Sequence, residues 1–200
     1  MMADIIIAVR GGVGAKSRCS GVIDGAALAR AMLRDMVAAA SSCPQVAQIH
    51  VVTPTPDVAE GLPVRLIAEP DGSGVNTAFA RACAALPSDT LAVLLPGDLP
   101  LIRAGDLTAL IAAHQAGSIT VVPSVTDAGT GAIVLTAGHP MNFAFGTGSF
   151  ARHMAEPGAR RYDCAAIGED LDRPEQAARA LTQGGRHTRA CLAGQLQDAT

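Results

Sequence analysis

The chain reads as an α/β protein in which helices cover both faces of a mostly parallel sheet, and three observations predict this. Short apolar runs alternate with longer Ala- and Leu-rich periodic segments from one end to the other. The first and fourth short runs, IIIAV at 5–9 and TLAVLLP at 90–96, are continuous rather than alternating, as strands buried on both faces are. The core must be aliphatic, because the 200 residues are 49% hydrophobic but only 2% aromatic.

The elements follow in order. After the strand at 5–9 comes a polar Gly-rich segment, then a helix at 26–40 with Leu28, Met32 and Met36 at four-residue steps and Asp24 as its cap. IHVVT at 49–53 and VRLIA at 64–68 are strands, GVNTAFARACAAL at 74–86 is a helix stopped by Pro87, and 90–96 is the fourth strand. A helix at 104–116 opens near Asp106, ITVVP and GAIVLTA are strands, and GTGSFARHMAE enters a helix. CAAIG at 164–168 reads as a last strand and RPEQAARALTQ at 173–183 as a last helix, with Pro174 in its first turn. The expectation is one three-layer α/β/α domain over residues 1–183, with a mixed Rossmann-like sheet. Residues 184–200 are expected to form a loosely ordered tail without an assigned role.

Composition excludes several classes. A formal charge of -3 gives no basic surface for nucleic acid, and no apolar run reaches membrane-spanning length. The five cysteines are scattered without a C-x-x-C pair, which reads as reduced thiols in a cytoplasmic protein rather than a disulfide framework or zinc site. The start, MMADIIIAV, carries Asp4 instead of a basic residue and is a poor signal peptide.

In α/β sheets ligands gather beyond the carboxyl ends of the strands, so chemistry is sought in the irregular segments there. RGGVGAKSR after the first strand offers Arg10, Lys16 and Arg18 around Gly11, Gly12 and Gly14, a backbone that admits an anion and cations that neutralise it. A polyphosphate is the natural ligand; a solvated βα loop is the alternative. Ala15 before Lys16 breaks the Walker A pattern, and Ser17 breaks the dinucleotide fingerprint. Asp98, in LLPGDLPL at the end of a buried strand, is a candidate Mg²⁺ ligand or else a turn residue. Asp170 and Asp172 offer further carboxylates before a Pro-started helix, where Asp172 would otherwise serve as a cap.

The basic Gly loop, LLPGDLPL and DLDRPEQA together resemble the GT-A-type nucleotidyltransferases, among them the molybdenum-cofactor guanylyl- and cytidylyltransferases. In that group the central and late aspartates hold Mg²⁺ on the nucleotide, which implies Asp98 and Asp172 here, with Asp170 assisting. TDAGTGAIVL, FGTGSFARHMA, AKSR and GVNTAFARA narrow the resemblance to the guanylyltransferase of coenzyme F420 biosynthesis. That family joins GMP from GTP to 2-phospho-L-lactate, phosphoenolpyruvate or 3-phosphoglycerate. The resemblance implies Lys16 and Arg18 on the triphosphate and Gly74 and Asn76 at the nucleotide. It also implies Thr130, Gly146 and Ser149 on the acid's phosphate or carboxylate, with Arg152 and His153 completing that anion pocket. Cys19 stands where the family usually has Leu, and Arg10 where it usually has Lys. The expected cofactor is Mg²⁺, and the expected partners are GTP and a small phosphorylated acid, with a homodimer compatible and neither nucleic acid nor membrane. Another transferase of the same fold, or a nucleotide-binding regulator without turnover, is the competing reading.

Overall fold

The structure is a computed structural model and describes residues 1–9, 24–69, 74–171 and 174–197. Seven strands among these residues form one sheet in the order β3-β2-β1-β4-β6-β5-β7. They are β1 (Ala3–Ala8), β2 (Val46–Thr53), β3 (Arg65–Ala68), β4 (Leu91–Pro96), β5 (Ile119–Pro123), β6 (Thr130–Thr136) and β7 (Ala159–Arg161). β1 pairs in parallel with β2 and β4, and β5 in parallel with β7. β6 runs antiparallel to both β4 and β5. Its first residue, Thr130, therefore sits at the same end of the sheet as the carboxyl ends of β1, β4 and β5.

The helices are α1 (Gly25–Ser41), α2 (Gly74–Ala84), α3 (Ala104–Ala113), α4 (Ser149–Met154), α5 (Ala165–Gly168), α6 (Pro174–Gln183) and α7 (Arg186–Gln197), with a 3-10 turn at Pro56–Ala59. The pleat sorts β1 into two cores. Ile5 and Ile7 face Leu33, Met36 and Val37 of α1 and Leu107, Leu110 and Ile111 of α3. Ile6 faces Ala78, Phe79 and Ala82 of α2 on the other side. This is the three-layer arrangement expected, and β4 is buried from Leu91 to Leu95 because helices cover it on both faces.

Two expectations are corrected. CAAIG is not a strand: Ala165–Gly168 is one helical turn, and its place in the sheet is taken by the short edge strand β7. Residues 184–197 are not a loose tail, since Arg186–Gln197 is a helix lying along α1. Leu192 of α7 is fully buried with Leu28 and Met32 of α1 and Ala177 and Ala180 of α6. The two helices also cap each other. Asp35 of α1 accepts from the amides of His187 and Thr188 at 3.0 and 2.7 Å. The amide of Asp24, the N-cap of α1, donates to Gln195 of α7 at 2.7 Å.

Cys43, Cys83, Cys164 and Cys191 are free thiols. Among the described residues no helix is long and apolar enough to cross a membrane.

Candidate functional site

The strand order turns at β1: β2 and β3 lie to one side of it and β4 to the other. That is the topological switch point where open α/β sheets bind ligands. A cleft of about 410 Å³ opens there, floored by Ala8 and Val9 at the end of β1 and by Pro96, Gly97 and Asp98 at the end of β4.

Close approach of the two strand ends builds the floor. The amide of Gly97 donates to the carbonyl of Ala8 at 2.8 Å. A Cβ on Gly97 would lie 2.7 Å from the Cβ of Val9 and 2.9 Å from that carbonyl, so only glycine fits between apolar β4 and Asp98. Asp98 is half-buried and lines the cleft.

The opposite wall comes from the late segment 168–171. The amide of Leu171 donates to the carbonyl of Asp98 at 3.0 Å, and Asp170 lines the same cleft. Gly131 permits this, because a Cβ there would meet the Ile167 carbonyl at 2.3 Å. Thr126 donates to Asp170 Oδ1 at 3.0 Å and Gln176 of α6 at 3.1 Å, fixing the carboxylate's direction. Glu169 turns away to pair with Arg179 of α6. Asp98 and Asp170, distant in sequence, are thus brought together. Arg10, Gly11, Gly12, Gly14, Lys16, Arg18 and Asp172 lie outside the described residues.

Thr130, Gly146 and Gly74 line the cleft as well, from the start of β6, the loop before α4 and the start of α2. Asn76 does not present a free amide. Its Oδ1 accepts from the Phe145 amide at 2.6 Å and its Nδ2 donates to the Phe145 carbonyl at 3.3 Å. It brackets the loop that carries Phe145 and Gly146 over the cleft.

The helix entry at GTGSF differs from the anion site read from the sequence. The amides of Gly148, Ser149 and Phe150 donate to the carbonyls of Asp127, Gly146 and Ala128. Ser149 and His153 are fully buried, and neither lines the cleft. The Ser149 hydroxyl donates to Thr130 Oγ1 at 3.0 Å, and His153 Nδ1 lies 2.8 Å from the same oxygen. Arg152 is exposed and donates to the carbonyls of Ala144 and Thr147 at 3.0 and 3.1 Å. Burial, reinforced by the charge of Arg152, lowers the His153 pKa to about 4, so the ring is neutral at pH 7. The member of this group that reaches the cleft is Thr130.

Sequence reasoning missed Glu69, Ser124 and Asp127, which also line the cleft. Asp127 turns its own chain, accepting the Gly129 amide on Oδ1 at 2.8 Å. Its signal was the D-x-G spacing of an Asx turn.

A cleft at a switch point, lined by Glu69, Asp98, Asp127 and Asp170 beside a buried hydroxyl network, is a candidate ligand site, and comparison with known proteins decides the family. The guanylyl transferase CofC-like family model matches residues 3–189. The chain belongs to the CofC-like guanylyl transferase family. Among its relatives, the 3-phospho-D-glycerate guanylyltransferase of Phenylobacterium zucineum (strain HLK1) is 39% identical, over 96% of this chain and 95% of its own length. The phosphoenolpyruvate guanylyltransferase of Geodermatophilus obscurus is 40% identical over 84% of this chain and 79% of its own. In fold, the chain matches a protein described as a nucleotide-diphospho-sugar transferase from Desulfovibrio desulfuricans G20. That match has a TM-score of 0.73 at 14% identity and covers 99% of this chain and 98% of the other. Membership makes the CofC-like chain an enzyme of the guanylyl transferase class, on a nucleotidyltransferase fold.

Proposed function

We propose that this chain transfers GMP from GTP to a small phosphorylated three-carbon acid, releasing pyrophosphate, as a step in coenzyme F420 biosynthesis. The acid is 3-phospho-D-glycerate, phosphoenolpyruvate or 2-phospho-L-lactate. The first leads because the relative of that name is similar along almost its whole length. The observation that carries the reading is the meeting of Asp98, Asp170 and Thr130 in one cleft at the switch point.

A phosphate oxygen of the acid attacks the α-phosphorus of GTP, forming the new P–O bond as the bond to pyrophosphate breaks. A phosphomonoester is largely dianionic at neutral pH, its second pKa being about 6, so the nucleophile needs no proton removed. This suits a cleft that no described histidine lines, His153 behind Thr130 being buried and neutral.

The demand that remains is neutralisation where two anions meet. The donor set fits Mg²⁺, which takes hard carboxylate oxygens together with phosphate oxygens of its substrate. Asp98 and Asp170 are the described residues that would hold it, with Asp172 as the further ligand the sequence suggests. When bound, Mg²⁺ supplies charge stabilisation for the triphosphate and the departing pyrophosphate. Lys16 and Arg18 are assigned to the same anion from the sequence.

The test is a side-by-side assay of the three acids with GTP and Mg²⁺, with products identified by mass. A GMP adduct of one acid and matching pyrophosphate release are expected. GTP that stays intact with all three would overturn the reading.

A further inference from the structure

His153 has both ring nitrogens committed. Nε2 accepts the backbone amide of Ala144 at 3.0 Å, and an amide can only donate, so Nε2 carries no proton. With the ring neutral, the proton is on Nδ1, which therefore donates to Thr130 Oγ1 at 2.8 Å. Ser149 donates to the same oxygen at 3.0 Å. Thr130 is thus an acceptor twice over on its protein side. Its own hydroxyl proton must go elsewhere, and the cleft is what lies beside it.

We propose that His153 is a positioning residue, locked as the Nδ1–H tautomer, that commits the Thr130 hydroxyl to donate to an anionic oxygen of the acid substrate in the cleft. The inference rests on the transfer reaction proposed above and on the place beside the acid that the resemblance implies for Thr130; what it adds is the residue that sets the direction of the Thr130 hydroxyl. The lock has several supports. The Phe145 ring packs edge-on to the His153 ring at 5.1 Å between centroids. Arg152 holds the Ala144 carbonyl while His153 holds the Ala144 amide. Asn76 brackets the next residue, Phe145, through its backbone. A hydroxyl that accepts twice cannot turn to accept again, so the site favours phosphate or carboxylate oxygens over ligand N–H or O–H groups.

Proton–nitrogen correlation spectra of the 200-residue chain without ligand test the lock directly. They should show His153 as the neutral Nδ1–H tautomer at pH 7; an Nε2–H tautomer or a charged ring would overturn the proposal. Kinetics test the consequence. Thr130→Val should raise the KM for the phosphorylated acid about 10- to 100-fold, the worth of a hydrogen bond to a charged group, and leave the KM for GTP in place. Thr130→Ser should restore the acid KM. His153→Asn retains a donor near Nδ1 and should bind the acid better than His153→Gln, which retains only a group near Nε2. Equal acid KM values for folded Thr130→Val and wild type, or for the two His153 variants, would sink the proposal. If a His153 variant fails to fold, the wild-type spectrum and the Thr130 pair still decide. If no acid is turned over, the transfer reading has failed; the tautomer is then judged by the spectrum alone, and titration with phosphoenolpyruvate, followed at the Thr130 amide, judges the grip.

Discussion

The backbone amide of Leu171 donates to the carbonyl of Asp98 at 3.0 Å, tying the segment that carries Asp170 to the end of β4. The two backbone segments that carry the carboxylates are thereby joined by main chain, one at the tip of a buried strand and the other pressed against β5 and β6, while Thr126 and Gln176 direct the Asp170 carboxylate itself.

Asp98→Asn should therefore fold as the wild type does and lose most turnover. The substitution preserves shape and leaves the Leu171 bond, which uses main chain, untouched. If the carboxylate's charge serves the reaction, kcat should fall roughly 100-fold or more, with the GTP-dependent rate requiring higher Mg²⁺. Pyrophosphate release at several Mg²⁺ concentrations measures this. A full-rate variant with unchanged Mg²⁺ dependence would remove Asp98 from the site.

Gly97→Ala should be destabilising in its own right. The added methyl would stand 2.7 Å from Val9 Cβ and 2.9 Å from the Ala8 carbonyl, and neither is the end of a flexible chain. Overpacking of this kind costs about 1–3 kcal/mol, and relief would pull β4 away from β1. Urea unfolding should show the loss, and the cleft should bind nucleotide less well. Wild-type stability would mean that the two strand ends can part freely.

Stability should decline on mild acidification. Burial holds the His153 pKa down at about 4, against 6.5 for the exposed side chain of the unfolded chain, and burial lowers His114 in the same direction. Between these values the unfolded state binds a proton that the folded state refuses. The contribution is complete above pH 6.5, shrinks as pH falls towards 4 and levels off below, about 3 kcal/mol for His153. Urea midpoints at pH 7 and pH 5 give the slope. His153→Asn, which cannot titrate, should reduce it and leave the part due to His114; an unchanged slope would place the effect elsewhere.

Strand and helix order was legible because burial on both faces leaves continuous apolar runs such as LAVLLP, and Asp98 stood out as the charge that ends one. The motif resemblance paired Asp98 with Asp172, which lies outside the described residues, and gave Asp170 an assisting place. That Asp170 lines the cleft of Asp98 depends on backbone contacts made across the fold, which leave no spacing signal. Ser149 and His153 illustrate the limit: both sit at a helix entry that reads as anion-binding, yet the fold buries them and sends Thr130 to the cleft. CAAIG carries the apolar run of a strand, but four residues between Cys164 and Glu169 close as a helical turn under β6. Polar GRHTRACLAG hid its helix because Leu192 is its one fully buried large apolar side chain, beside buried Thr188 and half-buried Cys191, and the caps that fix it come from α1.

That last point yields a strong test, because a disordered tail and a packed helix respond oppositely to one substitution. Leu192 is fully buried against Leu28 and Met32, so Leu192→Ala should cost about 2–5 kcal/mol, as other large-to-small core changes do. Asp35→Ala should add a smaller loss of about 1 kcal/mol, by uncapping the amides of His187 and Thr188. The two sites sit at opposite parts of one helix pair, so the double variant should fall short of additivity once α7 has already detached. Urea unfolding of the three variants decides it. A Leu192→Ala protein as stable as wild type would show that α7 does not pack in solution.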